Sequence, residues 1–145
     1  MADAVRVEQV EALDEEVAAA VQRLLPQLSS SAVFDAGLIE QVVTNPATSL
    51  FVARDGDAVI GMATLVIVPA PTGLRGHIED VVVDEAARGR GAGRALMDAL
   101  IRQGREAGLR SLELTSRPSR TAAIALYESV GFAKRETNVL RYAFD

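Results

Sequence analysis

Glycine occupies every second position from Gly89 to Gly93, between the apolar run Val81-Val82-Val83 and a stripe made by Ala92, Ala95, Leu96, Ala99 and Leu100. The run reads as the end of a strand. The stripe reads as one face of a helix from about Gly91 to Ala107, with Gly108 at its C-terminal cap. The chain must therefore pass from a strand, through a glycine-rich loop, straight into a helix. Glycine has no Cβ, so backbone can approach a ligand closely there. The first N–H groups of a helix lack intrahelical acceptors and sit at the positive end of its dipole. Such a tip suits phosphate oxygens, and Arg88, Arg90 and Arg94 bring guanidinium groups to it. The same residues also fit a flexible loop with a glycine-softened helix start, and the pattern alone leaves both readings open.

Spacing narrows the ligand. A Walker-type loop needs Gly-Lys-Ser/Thr at the helix start, and this loop has no lysine. A dinucleotide fingerprint needs G-x-G-x-x-G. Counted from Gly89 its third glycine would be Arg94, and counted from Gly91 it would be Leu96, so both registers fail.

Composition bounds the rest. A chain of 145 residues, about half hydrophobic, fits one domain, taken as residues 1–145. The absence of cysteine excludes disulfides, thiolate zinc sites and a catalytic thiol, and one histidine argues against a histidine metal centre, so no metal is expected. No apolar run reaches the ~18 residues of a membrane helix. No basic segment followed by an apolar core opens the chain. The expectation is a cytoplasmic protein with no membrane partner. A net charge of −5 argues against broad nucleic-acid binding. Arg88, Arg90, Arg94, Arg102, Arg105 and Arg110 nonetheless crowd one stretch, with Arg117 and Arg120 soon after, which fits either one anionic ligand or a solvated helix face.

The element pattern is mixed. Val5–Val7 suits a short strand. A helix capped by Asp14 carries Val17, Ala20, Val21, Leu24, Leu25 and Leu28 at helical spacing, and Pro26 is expected to kink or end it. Ser29–Ser31 breaks the chain, and a second helix is expected over Phe34–Val43, before Asn45-Pro46. Strands Leu50–Arg54 and Ala58–Val68 flank the hairpin signal Asp55-Gly56-Asp57, and Leu74–Val83 follows the next turn. Ser111–Thr115 reads as a strand, Thr121–Val130 as a helix stopped by Gly131, and Asn138–Phe144 as a final strand. This order predicts an α/β (α+β) domain around one mixed, mostly antiparallel sheet.

Two stretches carry a family resemblance. Arg88-x-x-Gly91-x-Gly93 after a strand resembles the [Q/R]-x-x-G-x-[G/A] signature of the GNAT superfamily of N-acetyltransferases. Leu126-Tyr127-Glu128-Ser129-Val130-Gly131-Phe132 resembles the LYxxxGF signature found near the C-terminus of such proteins. The likeness extends over about residues 50–144. It implies a sheet of about six to seven strands with four helices, and a splayed parallel pair, Leu74–Val83 and Ser111–Thr115, that admits acetyl-CoA. It also implies a pantetheine arm along Val81, Val82 and Val83, and a pyrophosphate held by N–H groups of Gly89, Arg90, Gly91, Ala92, Gly93 and Arg94. Glu85 stands where many relatives have proline.

The resemblance implies acetyl transfer from acetyl-CoA to a primary amine of a small molecule or protein, by direct attack in a ternary complex. Tyr127 is then the candidate acid, its hydroxyl facing the cofactor sulfur, against a plain core tyrosine. Glu79 is the candidate base, acting through water, against a surface carboxylate. On a regular strand Glu79 shares a face with Val81 and Val83 unless a bulge intervenes, and Asp80 points the other way. His77 could line the acceptor site or simply pack, and a backbone N–H near Val81 could act as oxyanion donor. Ser119 and Arg120 replace an asparagine that contacts the cofactor in many relatives, and Ser119 could equally be a helix cap.

Gly76–Val81 with Arg88-Gly89 resembles glucosamine-phosphate N-acetyltransferases, whereas Leu114–Arg120 departs from them. An amino sugar phosphate therefore stands as one acceptor beside polyamines, amino acids, drugs and protein amines, with Gln27–Phe34 helping to shape the pocket. The other function classes are a non-catalytic acyl-CoA-binding sensor of the same fold and a nucleotide-binding regulator. Family habit and the apolar last segment point to a homodimer.

Overall fold

The structure is a computed structural model that describes residues 5–144. Five strands form one sheet in the order β1-β2-β3-β4-β5. They are β1 (Arg6–Gln9), β2 (Thr48–Asp55), β3 (Ala58–Ala70), β4 (Gly73–Val83) and β5 (Ser111–Glu113). The first four are antiparallel neighbours, and β5 runs parallel to β4. Helices α1 (Glu15–Leu28) and α2 (Ala36–Thr44) precede β2. Helix α3 (Ala92–Glu106) connects β4 to β5, and α4 (Thr121–Ser129) follows β5. None of the described helices is long and apolar enough to cross a membrane.

Local chemistry sets most boundaries. Asp14 Oδ1 accepts the Val17 N–H at 2.8 Å and starts α1. Pro26 does not end that helix, which continues to Leu28. So near the C-terminus the proline costs little, because Val17, Ala20, Val21 and Leu24 already hold α1 on the sheet. Asp55 pairs with Ala58 across a tight turn in which Gly56 has φ +62°.

The sheet has a core on each face. Leu96, Met97 and Leu100 of α3 and Tyr127 of α4 pack with Phe51, Ala63, Leu65 and Ile78. Val17, Val21 and Leu24 of α1 pack with Val52, Met62 and Val82 on the opposite face. Each such fully buried aliphatic side chain contributes roughly 1.5–3 kcal/mol relative to exposure.

One irregularity in β4 decides which side chains share a face. Thr64 pairs with Glu79 and Met62 with Val82, so Asp80 and Val81 together oppose Ala63. This is a bulge, and Asp80 adopts φ +54° within it. Before it, Ile78 faces the α3–α4 core; after it, Val81 and Val83 do. Glu79, paired with Thr64, thus lies on the α1–α2 face, opposite Val81 and Val83.

Two expectations about the sheet need correction. Among the described residues it has five strands, not six or seven, and Asn138–Phe144 form no strand. That segment has strand-like alternation, but among the described residues no backbone hydrogen bond ties it to a neighbour, and a strand exists only through such a partner. β5 is also shorter than expected, ending at Glu113 opposite His77.

Candidate functional site

β4 and β5 separate after a short pairing. Arg75, Gly76 and His77 pair with Ser111, Leu112 and Glu113, and among the described residues β4 has no partner on that side from Ile78 to Val83. Parallel strands held by so few rungs diverge where the register ends. The divergence opens a cleft of about 550 Å³ on the α3–α4 side, lined by Val81 and Val83, the loop before α3, the first turns of α3 and α4, and Tyr127.

The loop is anchored at its start and bare at its end. Asp84 donates its N–H to Ile60 O at 2.8 Å, and its carboxylate accepts the Ala86 N–H at 3.1 Å. That N–H, with help from Gln27 and Arg23, holds the Asp84 carboxyl below the usual range, against the opposing effect of burial. Gln27 accepts the Glu85 N–H at 2.9 Å, and Ala87 is buried. Past this anchor, Gly89 (φ +85°) and Gly91 (φ +83°) adopt the left-handed region. A Cβ at either position would meet nothing within 4 Å. These two glycines are therefore required by backbone conformation, not by crowding. Gly93 differs, because its Cβ would lie 2.9 Å from Leu126 Cδ2. It sets the close packing of α3 on α4.

The first helical hydrogen bond of α3 runs from Ala95 N–H to Gly91 O at 3.0 Å. Among the described residues, no acceptor serves the N–H groups of Gly89 to Arg94. A row of free donors at a positive helix end, open to the cleft, fits a diphosphate. The unpaired edge of β4 beside it offers backbone groups to an extended, amide-containing chain. By both observations the residues present fit coenzyme A.

The predicted contacts divide. Arg88, Gly89, Gly91, Ala92, Gly93, Arg94, Ser119, Arg120 and Tyr127 line the cleft with Val81 and Val83. The side chain of Val82 does not, being buried toward α1. Arg90 does not either: it is paired with Asp55 at the β2–β3 turn and lines a second cavity of about 420 Å³ behind the loop. Ser119 is not a helix cap, since Arg120 holds that place and makes no side-chain cap bond.

Tyr127 is only 8% exposed and packs edge-on against Phe132, ring centroids 6.3 Å apart. Its hydroxyl has no hydrogen-bond partner among the described residues. Burial raises its pKa, with Arg120 acting weakly in the other direction. It is thus a neutral donor at the cleft wall. Glu79 is exposed on the opposite face of β4, at the unpaired stretch, and His77 lies two residues earlier on the same face. Asp80 occupies the bulge. Reading the sequence alone missed the loop anchors Gln27, Asp55 and Asp84 and the lining residues Thr121 and Leu126. Only Asp84 had a visible signal, a carboxylate two residues before the N–H it accepts.

Comparison with known proteins agrees with this geometry. The profile of the acetyltransferase (GNAT) family matches residues 12–132. A mycothiol acetyltransferase of Geodermatophilus obscurus is 37% identical over 92 residues, covering 61% of this chain and 30% of that protein. A glucosamine 6-phosphate N-acetyltransferase of Trypanosoma brucei brucei is 38% identical over 92 residues, covering 61% of this chain and 60% of that one. The chain thus spans about a third of the first relative's length and somewhat under two thirds of the second's. The structure of an aminoglycoside N-acetyltransferase in complex with CoA superposes with a TM-score of 0.81, at 20% identity, over 99% of this chain and 97% of that one.

Proposed function

Because the chain belongs to the acetyltransferase (GNAT) family, we propose that it transfers the acetyl group of acetyl-CoA to the primary amine of a small molecule. The observation that carries this reading is one cleft shared by the free N–H row of the α3 tip, the unpaired β4 edge and the Tyr127 hydroxyl. Bound there, acetyl-CoA supplies an acetyl group activated as a thioester.

The protein's own groups do the rest. N–H groups of residues 89–94 and the guanidiniums of Arg88, Arg94 and Arg120 hold the anionic end. Val81 and Val83 bind the amide-bearing arm through their backbone, and an N–H near Val81 steadies charge on the acyl oxygen. The Tyr127 hydroxyl gives its proton to the departing sulfur. The amine approaches from the α1–α2 face, where Glu79 accepts its proton through a water. The bulge at Asp80 supports this division, since it sets Glu79 and the cleft on opposite faces of one strand. The two substrates then meet through the gap between β4 and β5. Holding them in line can contribute roughly 7–11 kcal/mol, and each proton-transfer group about 10²–10⁴-fold.

The test is titration with acetyl-CoA followed by thiol release across an amine panel, amino sugar phosphates first because the glucosamine 6-phosphate enzyme is among the relatives. Absence of saturable acetyl-CoA binding ends the proposal. Binding without thiol release for any amine would instead mark an acyl-CoA sensor.

A further inference from the structure

The loop that carries the free N–H row is held by little packing. Of residues 85–90, Ala87 alone is buried. Behind the loop lies the cavity of about 420 Å³, bordered by Ala20 and Arg23 of α1 and by Ala86, Ala87 and Arg90 of the loop itself. A segment backed by open space, and softened by two glycines at positive φ, takes its position from its tethers. Within the short turn Glu85–Ala87, the Ala86 N–H is accepted by the Asp84 carboxylate and the Ala87 N–H by Asp84 O. The Glu85 N–H is a donor that the turn itself cannot satisfy. Its acceptor is Gln27 Oε1 of α1, at 2.9 Å. Gln27 Nε2 in turn donates to Asp84 Oδ1 at 3.4 Å. The two bonds fix the orientation of the amide, because a reversed amide would set its NH2 against the Glu85 N–H.

Gln27 does not line the cleft. It belongs to α1, which packs on the other face of the sheet. One planar amide there grips two adjacent residues at the root of the loop, just before the chain reaches Gly89. We propose that Gln27 is a positioning residue for the anionic end of acetyl-CoA and acts through the Glu85 N–H; the inference rests on the reading of the cleft as an acetyl-CoA site. With the root fixed beforehand, the row of donors is already set when the diphosphate arrives. Without Gln27 the Glu85 N–H turns to water, the root moves against the open cavity, and binding must order it at a cost in affinity.

Proline at position 85 gives the control. It has no N–H to satisfy and suits the first position of a helical turn. It also demands an extended residue before it, and Asp84, with φ −54° and ψ 129°, meets that demand. The parent, Gln27→Ala, Glu85→Pro and the double variant are titrated with acetyl-CoA by calorimetry. Gln27→Ala should weaken binding about three- to tenfold. The nucleotide diphosphate half of the cofactor, titrated alone, should lose the same factor. The melting temperature should barely change, because Gln27 is exposed and alanine suits a helix. In the Glu85→Pro background, Gln27→Ala should have no effect on binding. Amide exchange measured by NMR without ligand should be faster at Glu85 in Gln27→Ala than in the parent. A parent chain that binds no acetyl-CoA defeats the reading of the cleft and this inference with it. A parent that binds, beside a Gln27→Ala variant that binds equally well, defeats this inference alone. So does an equal loss in both backgrounds, or an unchanged exchange rate at Glu85.

Discussion

Gly93 of α3 meets Leu126 of α4 so closely that a methyl group added to the glycine would stand 2.9 Å from Leu126 Cδ2. The contact joins the helix that presents the free N–H row to the helix that carries Tyr127. Alanine here could be absorbed by a small swing of Leu126, but valine could not. Gly93→Val should cost about 1–3 kcal/mol of stability. Leu126→Ala in the same chain should recover part of that loss. Denaturant titration of the four proteins of the cycle checks this, and additivity within ~0.5 kcal/mol would mean that the two side chains do not meet.

Gly91 makes a different demand. Its φ of +83° costs an L-residue roughly 1–2 kcal/mol, and a Cβ there meets no protein atom within 4 Å. Gly91→Ala should therefore lower stability modestly and weaken acetyl-CoA binding at least tenfold, because the methyl group disturbs the row of donors. Calorimetry on the folded variant reads this directly. An unchanged Kd would show that the loop does not hold the diphosphate.

Asp84 fixes the other end of that loop. Asp84→Ala should cost ~1 kcal/mol at neutral pH through loss of the bond to the Ala86 N–H. The Asp84 pKa is lowered in the folded chain, so this stabilisation is present above the unfolded value of ~3.9 and is lost as pH falls through the lower folded value. Melting curves of both proteins should converge in that acidic window and stay apart near neutrality. Curves separated equally at all pH values would remove the carboxylate from the account.

Much of the site could be read along the chain because its demands are local. Gly89, Gly91 and Asp14 declare themselves through backbone conformation and capping, which a few neighbours determine. What the chain hid depends on distant partners. The face of Glu79 rests on one extra residue in β4, visible only against the register of β3. Arg90 looked like a phosphate ligand from its neighbours, but Asp55, far away in sequence, holds it. Asn138–Phe144 has the composition of a strand, and only the spatial arrangement shows that the described residues give it no pairing partner.

The placement of Glu79 separates two roles that share one strand. It lies on the face opposite Val81 and Val83. Glu79→Gln should lower kcat/KM for the amine by about 10²–10⁴ while leaving the Kd for acetyl-CoA unchanged. The loss should shrink as pH rises and more amine is already neutral. A variant that binds acetyl-CoA poorly, or that turns over normally at pH 7, would return Glu79 to the status of a surface carboxylate.

Tyr127 permits the sharpest separation of chemistry from structure. Its ring packs against Phe132, whereas its hydroxyl has no partner among the described residues. Tyr127→Phe keeps the packing and leaves nothing buried unpaired, so stability at neutral pH should change little. Turnover should fall about 10²-fold or more, with the Kd for acetyl-CoA nearly constant. Burial raises the phenol pKa, so the folded chain holds this proton more tightly than the unfolded chain does. The native tyrosine's stabilisation is therefore complete below the unfolded value of ~10 and is lost as pH climbs through the folded value. The phenylalanine variant has no such proton and should outlast the parent under alkaline conditions. If the two proteins melt alike at every pH and turn over at the same rate, the hydroxyl neither sits in a dry wall nor donates a proton.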